Sequence, residues 1–154
     1  MESHRKKLFL DDLEAGQVYH LGRQTLSEKE IITFATRYDP QPFHIDPEAA
    51  SQSIYGGVIA SGWQTACMFT RLFVDGLLNR SAAMGSPGLD ELRWLKPVRP
   101  GETLTASVEV LDVRDSRSKP DRGLVKLRCI VADTRDDEVM TFVANVLFQK
   151  RETG

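Results

Sequence analysis

Three stretches in the second half of the chain alternate apolar and polar residues with a period of two. They are Leu104, Ala106, Val108 and Val110; Val125, Leu127, Cys129 and Val131; and Met140, Phe142, Ala144, Val146 and Phe148. In an extended strand this period places every second side chain on the same face, so each stretch predicts a long strand with one buried face. The charged segments at 114–122 and 134–137 predict the turns that join these strands into a meander.

The first half of the chain carries helical patterns instead. Ser27 and Glu30 have the spacing of a capping box, in which each side chain bonds the other residue's backbone at a helix start. Pro40 predicts the end of this helix at Asp39, since a proline disfavours helical geometry in the residue before it. The residues expected on the buried face of this helix are Ile31, Phe34, Ala35 and Tyr38.

Two further helices follow the first. Asp46 is predicted to cap a short helix that runs to about Ser51. The segment 63–79 is apolar on nearly every side, which is typical of a helix wrapped by other structure. A loop is expected over 81–88 because glycine, serine and proline are frequent there.

The order of elements predicts an α+β fold. A short strand is expected over 17–25 and another begins at Leu92–Leu95, before the proline-rich turn over 96–101. A single antiparallel sheet can bury the long central helix only by wrapping around it. We find no internal repeat and no linker, so we expect one domain over 1–154 with a core over about 8–150.

Composition narrows the class of protein. With 154 residues and 41% hydrophobic content the chain is long enough for one well-formed core, and a net charge of −2 gives no case for binding nucleic acid or an anionic membrane. No membrane insertion is expected, because the apolar segment 63–78 contains Gln64, Arg71 and Asp75. Cys67 and Cys129 fit no metal or disulfide spacing and are expected to be buried thiols. With no secretory segment at the N-terminus, they favour a cytoplasmic location.

Asp39 and His44 are the candidate catalytic residues. They flank a proline-rich turn, Asp39-Pro40-Gln41-Pro42-Phe43-His44, which we expect to hold a carboxylate and an imidazole on one stiff loop. Such a pair can orient the ring and share proton transfers. The structural alternative is an aspartate that only forms the turn and a histidine that is only partly buried and hydrogen-bonded.

The stretch 34–62 resembles the hydratase motif of the MaoC-like dehydratases, the (R)-specific enoyl-CoA hydratase family. That motif runs roughly F-A-x(4)-D-x-N-P-x-H-x-D-P-x-x-A, followed later by H-G-M. The matching residues are Phe34, Ala35, Asp39, Pro42, His44, Asp46, Pro47, Ala50 and Gly62. The resemblance implies the hot-dog fold, in which two sheets commonly join edge to edge with the acyl site between subunits. We therefore expect a homodimer or a larger even assembly.

The resemblance also suggests residues for the oxyanion and substrate-binding site. It implies that the Gly62 amide, at the start of the long helix, donates to the thioester carbonyl, and that the Thr70 hydroxyl bonds Asp39. Gln41 and Ser61 belong to the same candidate site but depart from the motif, which has Asn and His there. These two changes bear on substrate choice more than on the acid–base pair.

The resemblance implies a hydro-lyase of fatty acid metabolism, an enoyl-thioester hydratase that acts in reverse as an (R)-3-hydroxyacyl-thioester dehydratase. Asp39 and His44 would divide the proton transfers. No metal or redox cofactor is expected, since CoA or an acyl carrier arrives as part of the substrate. Two alternatives stay open: a hot-dog acyl-CoA thioesterase, and a non-catalytic module that binds acyl thioesters.

Overall fold

The computed structural model describes residues 6–152, so the termini of the predicted domain 1–154 lie outside the described residues. Two 3-10 turns occupy Leu10–Asp12 and Leu78–Arg80. The strands are β1 (Val18–Thr25), β2 (Gly88–Trp94), β3 (Thr103–Asp115), β4 (Arg122–Ala132) and β5 (Glu138–Gln149), and the helices are α1 (Glu28–Tyr38), α2 (Pro42–Ile45), α3 (Pro47–Ser51) and α4 (Gly62–Gly76).

The five strands form one antiparallel sheet in the order β1-β3-β4-β5-β2. All three predicted alternating sets are buried and form the core face of the sheet. Helix α4 covers this face: its buried Phe69 packs edge-on against Phe142 of β5, with ring centroids 5.0 Å apart. The α+β layout, a sheet around a central helix, is therefore confirmed. None of the helices within residues 6–152 is long and apolar enough to span a membrane.

The predicted starts of α1 and α3 are confirmed by their caps. The Ser27 hydroxyl accepts from the Glu30 amide at 3.1 Å, and Glu30 Oε1 accepts from the Ser27 amide at 3.2 Å. Asp46 Oδ1 accepts from the Glu48 amide at 3.0 Å at the start of α3. Side-chain oxygens thus satisfy amides that a helix start leaves unpaired, and they do so with local sequence alone.

Four local predictions need correction. On α1, Ile31 and Ala35 are buried as expected, but Tyr38 is 65% exposed because the helix ends there and its ring stacks on Phe34 instead. Helix α4 ends at Gly76, three residues before the predicted end, and a 3-10 turn follows. Cys67 is exposed, whereas Cys129 is buried and burial raises its pKa to about 12. Helix α4 therefore packs into the curve of the sheet with the face that carries Phe69 and Phe73, while the face that carries Cys67 is exposed.

Strand β2 begins four residues before the expected Leu92. A register shift between Asp90 and Arg93 interrupts its pairing with β5, and Glu91 has a φ of 55° at this bulge. An extra residue in a strand breaks the period of two, which is why the alternation did not reveal the strand's first half. β2 and β1 are the two edges of the sheet.

Candidate active site

The Asp39 and His44 side chains meet where α1 ends and α2 begins. Asp39 follows the last residue of α1, and His44 lies on α2, a single helical turn whose first residue is Pro42. The sequence predicted a loop here; instead the proline starts a turn, since its fixed φ suits the first helical position. The His44 Nε2 atom lies 3.3 Å from Asp39 Oδ2, and the two side chains are 6% and 19% exposed.

The other ring nitrogen of His44 is fixed by a backbone carbonyl. Nδ1 lies 2.7 Å from the Ile59 carbonyl oxygen, which can only accept, so Nδ1 carries a proton and donates. In the neutral ring the lone pair is therefore on Nε2, facing Asp39. A lone pair and a carboxylate oxygen repel each other at this distance, so the pair is suited to share a proton, or to hold a water molecule that contacts both atoms from the cavity.

The Ile59 carbonyl is itself held from two sides. The Ile59 amide donates to the Phe43 carbonyl at 3.2 Å, and the Ala60 amide donates to the Val98 carbonyl at 2.8 Å. The segment around Ile59 thus lies between α2 and the strand connection near Val98. This contact was missed by the sequence analysis, because a backbone carbonyl leaves no residue type to recognise.

Two side chains donate hydrogen bonds to Asp39. Gln41 Nε2 donates to Oδ1 at 2.7 Å, and the Ser61 hydroxyl donates to Oδ2 at 2.8 Å. The Gln41 bond first, and then the Ser61 bond and the charge of His44, lower the pKa of Asp39 below its ordinary value, although partial burial opposes them. Two residues of the expected substrate site, Gln41 and Ser61, therefore contact the carboxylate directly and favour the ionised form of Asp39.

Thr70 is not part of this group. Its hydroxyl donates to the Ala66 carbonyl one turn earlier, at 2.9 Å, so the predicted bond to Asp39 is wrong within this chain. Thr70 lies two turns further along α4 and lines a different cavity from the one that contains Asp39. Ser61, which caps α4 by accepting from the Trp63 amide at 3.3 Å, supplies the hydroxyl instead.

Gly62 is the first residue of α4 and lines the same cavity as the acid–base pair. Amides in the first turn of a helix lack intrahelical partners and carry partial positive charge, so this end of α4 suits a developing oxyanion. The Trp94 indole lies directly over Gly62, where a Cβ would overlap it, and its Nε1 donates to the Gly62 carbonyl at 2.9 Å. Trp94 is a second contact that the sequence analysis missed.

The cavity has a volume of about 450 Å³. Its polar lining includes Asp39, Gln41 and His44, while Trp63 and Trp94 form an aromatic wall beside Gly62. Lys96 also lines it, and its ammonium group is paired with Asp133 at 2.6 Å. The cavity therefore combines a carboxylate–imidazole pair, the start of a helix and an aromatic surface.

Comparison with known proteins places this chain in a family. The family described as MaoC like domain matches residues 13–131. The uncharacterized protein YdeM of Bacillus subtilis is 33% identical over 110 residues, which cover 71% of this chain and 78% of YdeM. The (R)-specific enoyl-CoA hydratase of Rhodospirillum rubrum is 28% identical over 132 residues, which cover 80% of this chain and 82% of the hydratase.

Solved structures agree with the fold. The MaoC-like dehydratase from Rhodospirillum rubrum superimposes with a TM-score of 0.88 at 38% identity, covering 94% of this chain and 99% of that chain. The fold is the hot-dog fold, as the resemblance implied. For several other curated relatives the matched part is less than two thirds of the relative's own length.

Proposed function

We propose that this chain, which belongs to the family of MaoC-like domains, is an enoyl-thioester hydratase. It adds water reversibly to a trans-2-enoyl thioester of CoA or an acyl carrier and gives the (R)-3-hydroxyacyl thioester. The observation that carries the proposal is the contact between His44 Nε2 and Asp39 Oδ2 in a cavity that also contains the start of α4. Hydration of a conjugated thioester needs these two elements, a proton-transferring pair and an oxyanion donor.

The proton transfers follow from the tautomer of His44. With Nδ1 donating to the Ile59 carbonyl, Nε2 is free to accept a proton from a water molecule that contacts both the ring and Asp39 from the cavity. The water oxygen bonds to C3 of the substrate, and a proton from the pair goes to C2. Asp39, kept ionised by Gln41 and Ser61, stabilises the imidazolium that forms between the two transfers.

The Gly62 amide is the proposed oxyanion donor. Attack at C3 moves negative charge onto the thioester oxygen, and an amide at a helix start stabilises charge that develops there. Trp94 positions this amide, because its indole packs on Gly62 and binds the glycine carbonyl. The proposal uses no metal or redox cofactor; CoA or the carrier enters as part of the substrate.

We also propose that two copies of the chain pair through β2. This strand is an edge of the sheet, and two large apolar side chains on it, Leu89 and Trp94, are 52% and 43% exposed. The following residue, Leu95, is also exposed. An apolar edge with unpaired backbone groups favours pairing with another strand. A second copy of β2 supplies a matching edge, and the assembly is then a homodimer or a larger even oligomer. The cytoplasmic location stays a prediction.

One assay separates hydration from the two alternatives. The protein is mixed with crotonyl-CoA, and the absorbance of the conjugated enoyl group is followed together with free thiol. A hydratase removes the conjugation and releases no thiol, because water adds at C3 and the thioester survives. Thiol release at the rate of enoyl loss would instead identify a thioesterase.

No change in either the enoyl absorbance or the free thiol with short, medium and branched enoyl-CoAs would favour a binding module or a carrier-bound substrate. Chiral analysis of the hydrated product tests the stereochemistry, and an (S) product contradicts the proposal. Heat-inactivated protein is the control for spontaneous hydrolysis of the thioester.

A further inference from the structure

A second cavity lies beside the catalytic one. It has a volume of about 250 Å³ and is enclosed by α4, β2, β5 and the connection before β2. Among the described residues, Trp63 alone lines both cavities. The Trp63 indole is therefore the side chain at which the two spaces meet.

The second cavity suits hydrocarbon. Its lining includes Phe69, Phe142 and Val146, which are buried in the core, and no charged residue among those the structure describes. Two polar side chains on it already have partners: the Thr70 hydroxyl donates to Ala66, and the Ser86 hydroxyl donates to Gly88. Such a surface favours an alkyl chain and disfavours the phosphates and amides of CoA.

The Trp63 indole is held in place by Trp94. The two rings pack edge to face, with centroids 5.0 Å apart and an interplanar angle of 79°. Trp94 is anchored in turn by its hydrogen bond to the Gly62 carbonyl. Because Trp63 follows Gly62 directly, the wall lies within one residue of the amide that would bind the thioester oxygen.

We propose that Trp63 determines the acyl length of the substrate by separating the catalytic cavity from the second cavity. This inference rests on the proposed function. The acyl tail then points toward the aromatic wall, because that wall leads to the apolar second cavity, and the hydrophilic CoA portion lies toward solvent. The protein then acts on short acyl thioesters such as crotonyl-CoA, and longer chains reach the second cavity only when the indole is removed.

The test compares kcat/KM for trans-2-butenoyl-, hexenoyl- and octenoyl-CoA in the wild type, Trp63→Ala and Trp63→Phe. The wild type should prefer butenoyl over octenoyl by about 10-fold or more, which is the usual effect of chain length in a closed apolar pocket. Trp63→Ala should raise the octenoyl-to-butenoyl ratio by about 10-fold or more. Trp63→Phe keeps a ring at the wall and should retain a preference for the short chain.

Leu111→Ala is the matched control, because it also removes a large exposed apolar side chain but lines neither cavity. It should leave the chain-length profile unchanged. The inference is overturned if the wild type hydrates octenoyl-CoA as efficiently as butenoyl-CoA, or if Trp63→Ala leaves the ratio as it was. If Trp63→Ala does not fold, the inference is also overturned when the octenoyl-to-butenoyl ratio of kcat/KM is lower in Trp63→Phe than in the wild type.

A binding measurement separates this inference from the proposed function. Calorimetry gives the dissociation constants of saturated butyryl- and octanoyl-CoA, which bind without reacting. Suppose that no variant hydrates any enoyl-CoA but Trp63→Ala still gains affinity for octanoyl-CoA over butyryl-CoA. The hydratase assignment is then wrong, while the role of Trp63 in limiting acyl length is supported. If crotonyl-CoA is hydrated but substitution of Trp63 changes neither the kcat/KM values nor the dissociation constants across acyl lengths, the role of Trp63 is wrong and the hydratase assignment is supported. Absence of binding by every saturated acyl-CoA contradicts the inference.

Discussion

The Ser61 hydroxyl donates to Asp39 Oδ2 over 2.8 Å, although the two residues are 22 positions apart in the chain. The same oxygen atom of Asp39 lies 3.3 Å from His44 Nε2. Ser61 is fully buried and caps α4, so it links the start of the central helix to the acid–base pair.

Removing either member of the pair should abolish most hydration. Asp39→Asn and His44→Asn should each lower kcat/KM by about 10²–10⁴-fold, the usual loss when a positioned acid or base is removed. Because the two residues act on one proton path, the double variant should be little worse than either single one. Crotonyl-CoA hydration measured for all three variants checks this.

Matched controls exist for both changes. Asp46→Asn alters the carboxylate that caps α3, and Asn caps a helix as well as Asp does. His20→Asn alters an exposed histidine on the edge strand β1. Both controls should keep wild-type rates. Wild-type turnover in either Asp39→Asn or His44→Asn would reduce that residue to a turn former.

Ser61→Ala should lower kcat/KM by about 10-fold or more, because a hydrogen bond to a charged group contributes about 1.5–3 kcal/mol. Loss of the helix cap should also cost about 1 kcal/mol of stability, measured by denaturant unfolding. Thr70→Val is the control and should keep wild-type turnover, since the Thr70 hydroxyl bonds only the Ala66 carbonyl of its own helix. A larger loss in Thr70→Val than in Ser61→Ala would show that the wrong hydroxyl has been assigned.

Gln41→Leu should raise the pKa of the Asp39 carboxyl, which NMR titration of that carboxyl group measures. Gln41 gives the largest contribution to the lowered pKa of Asp39, so its loss raises that pKa toward the ordinary value of 3.8. The stability linked to Asp39 is present above pH 3.8 and is lost as the pH falls through the lower folded pKa. The variant should therefore lose part of this stability at neutral pH.

The control for Gln41→Leu is Gln52→Leu, at an exposed amide beyond α3. The pKa of Asp39 in this control should match that of the wild type. An Asp39 pKa that stays the same in Gln41→Leu, while the protein remains folded, would show that the Gln41 bond does not control the ionisation of this carboxyl group.

Gly62→Ala should lower turnover by about 10²-fold, comparable to the loss of one oxyanion donor. A Cβ at Gly62 would overlap the Trp94 indole, so the ring must move and its bond to the Gly62 carbonyl is lost. Tryptophan fluorescence should report this movement, since Trp63 and Trp94 are the chain's two tryptophans. Gly88→Ala, where a Cβ meets no atom within 4 Å, should change neither signal. Normal turnover in Gly62→Ala would show that the Trp94 contact is not needed to position this amide.

Light scattering coupled to size exclusion should give a dimer or a larger even multiple of the 17.3 kDa chain. Leu89→Lys on β2 should dissociate it, because a charge on an apolar edge opposes strand pairing. Val18→Lys is the matched control: Val18 is also 52% exposed, but it lies on β1 at the opposite edge of the sheet. A wild-type monomer at micromolar concentration contradicts pairing through β2.

The sequence by itself determined the features that depend on neighbouring residues. The period of two in β3, β4 and β5 and the capping box of Ser27 and Glu30 are local, and both appear in the structure as predicted. The spacing of Asp39 and His44 is local too, because one turn of chain brings them together. Where a local pattern was broken, as by the bulge at Glu91 in β2, the prediction failed.

Only the tertiary structure decided which groups surround the pair. The Ile59 carbonyl sets the tautomer of His44, Ser61 rather than Thr70 bonds Asp39, and Trp94 packs on Gly62 from 32 residues away. These contacts join separate elements, and their geometry depends on how α4 lies on the sheet. Periodicity along the chain carries information about which face of an element is buried, but not about which residue of another element will meet it there.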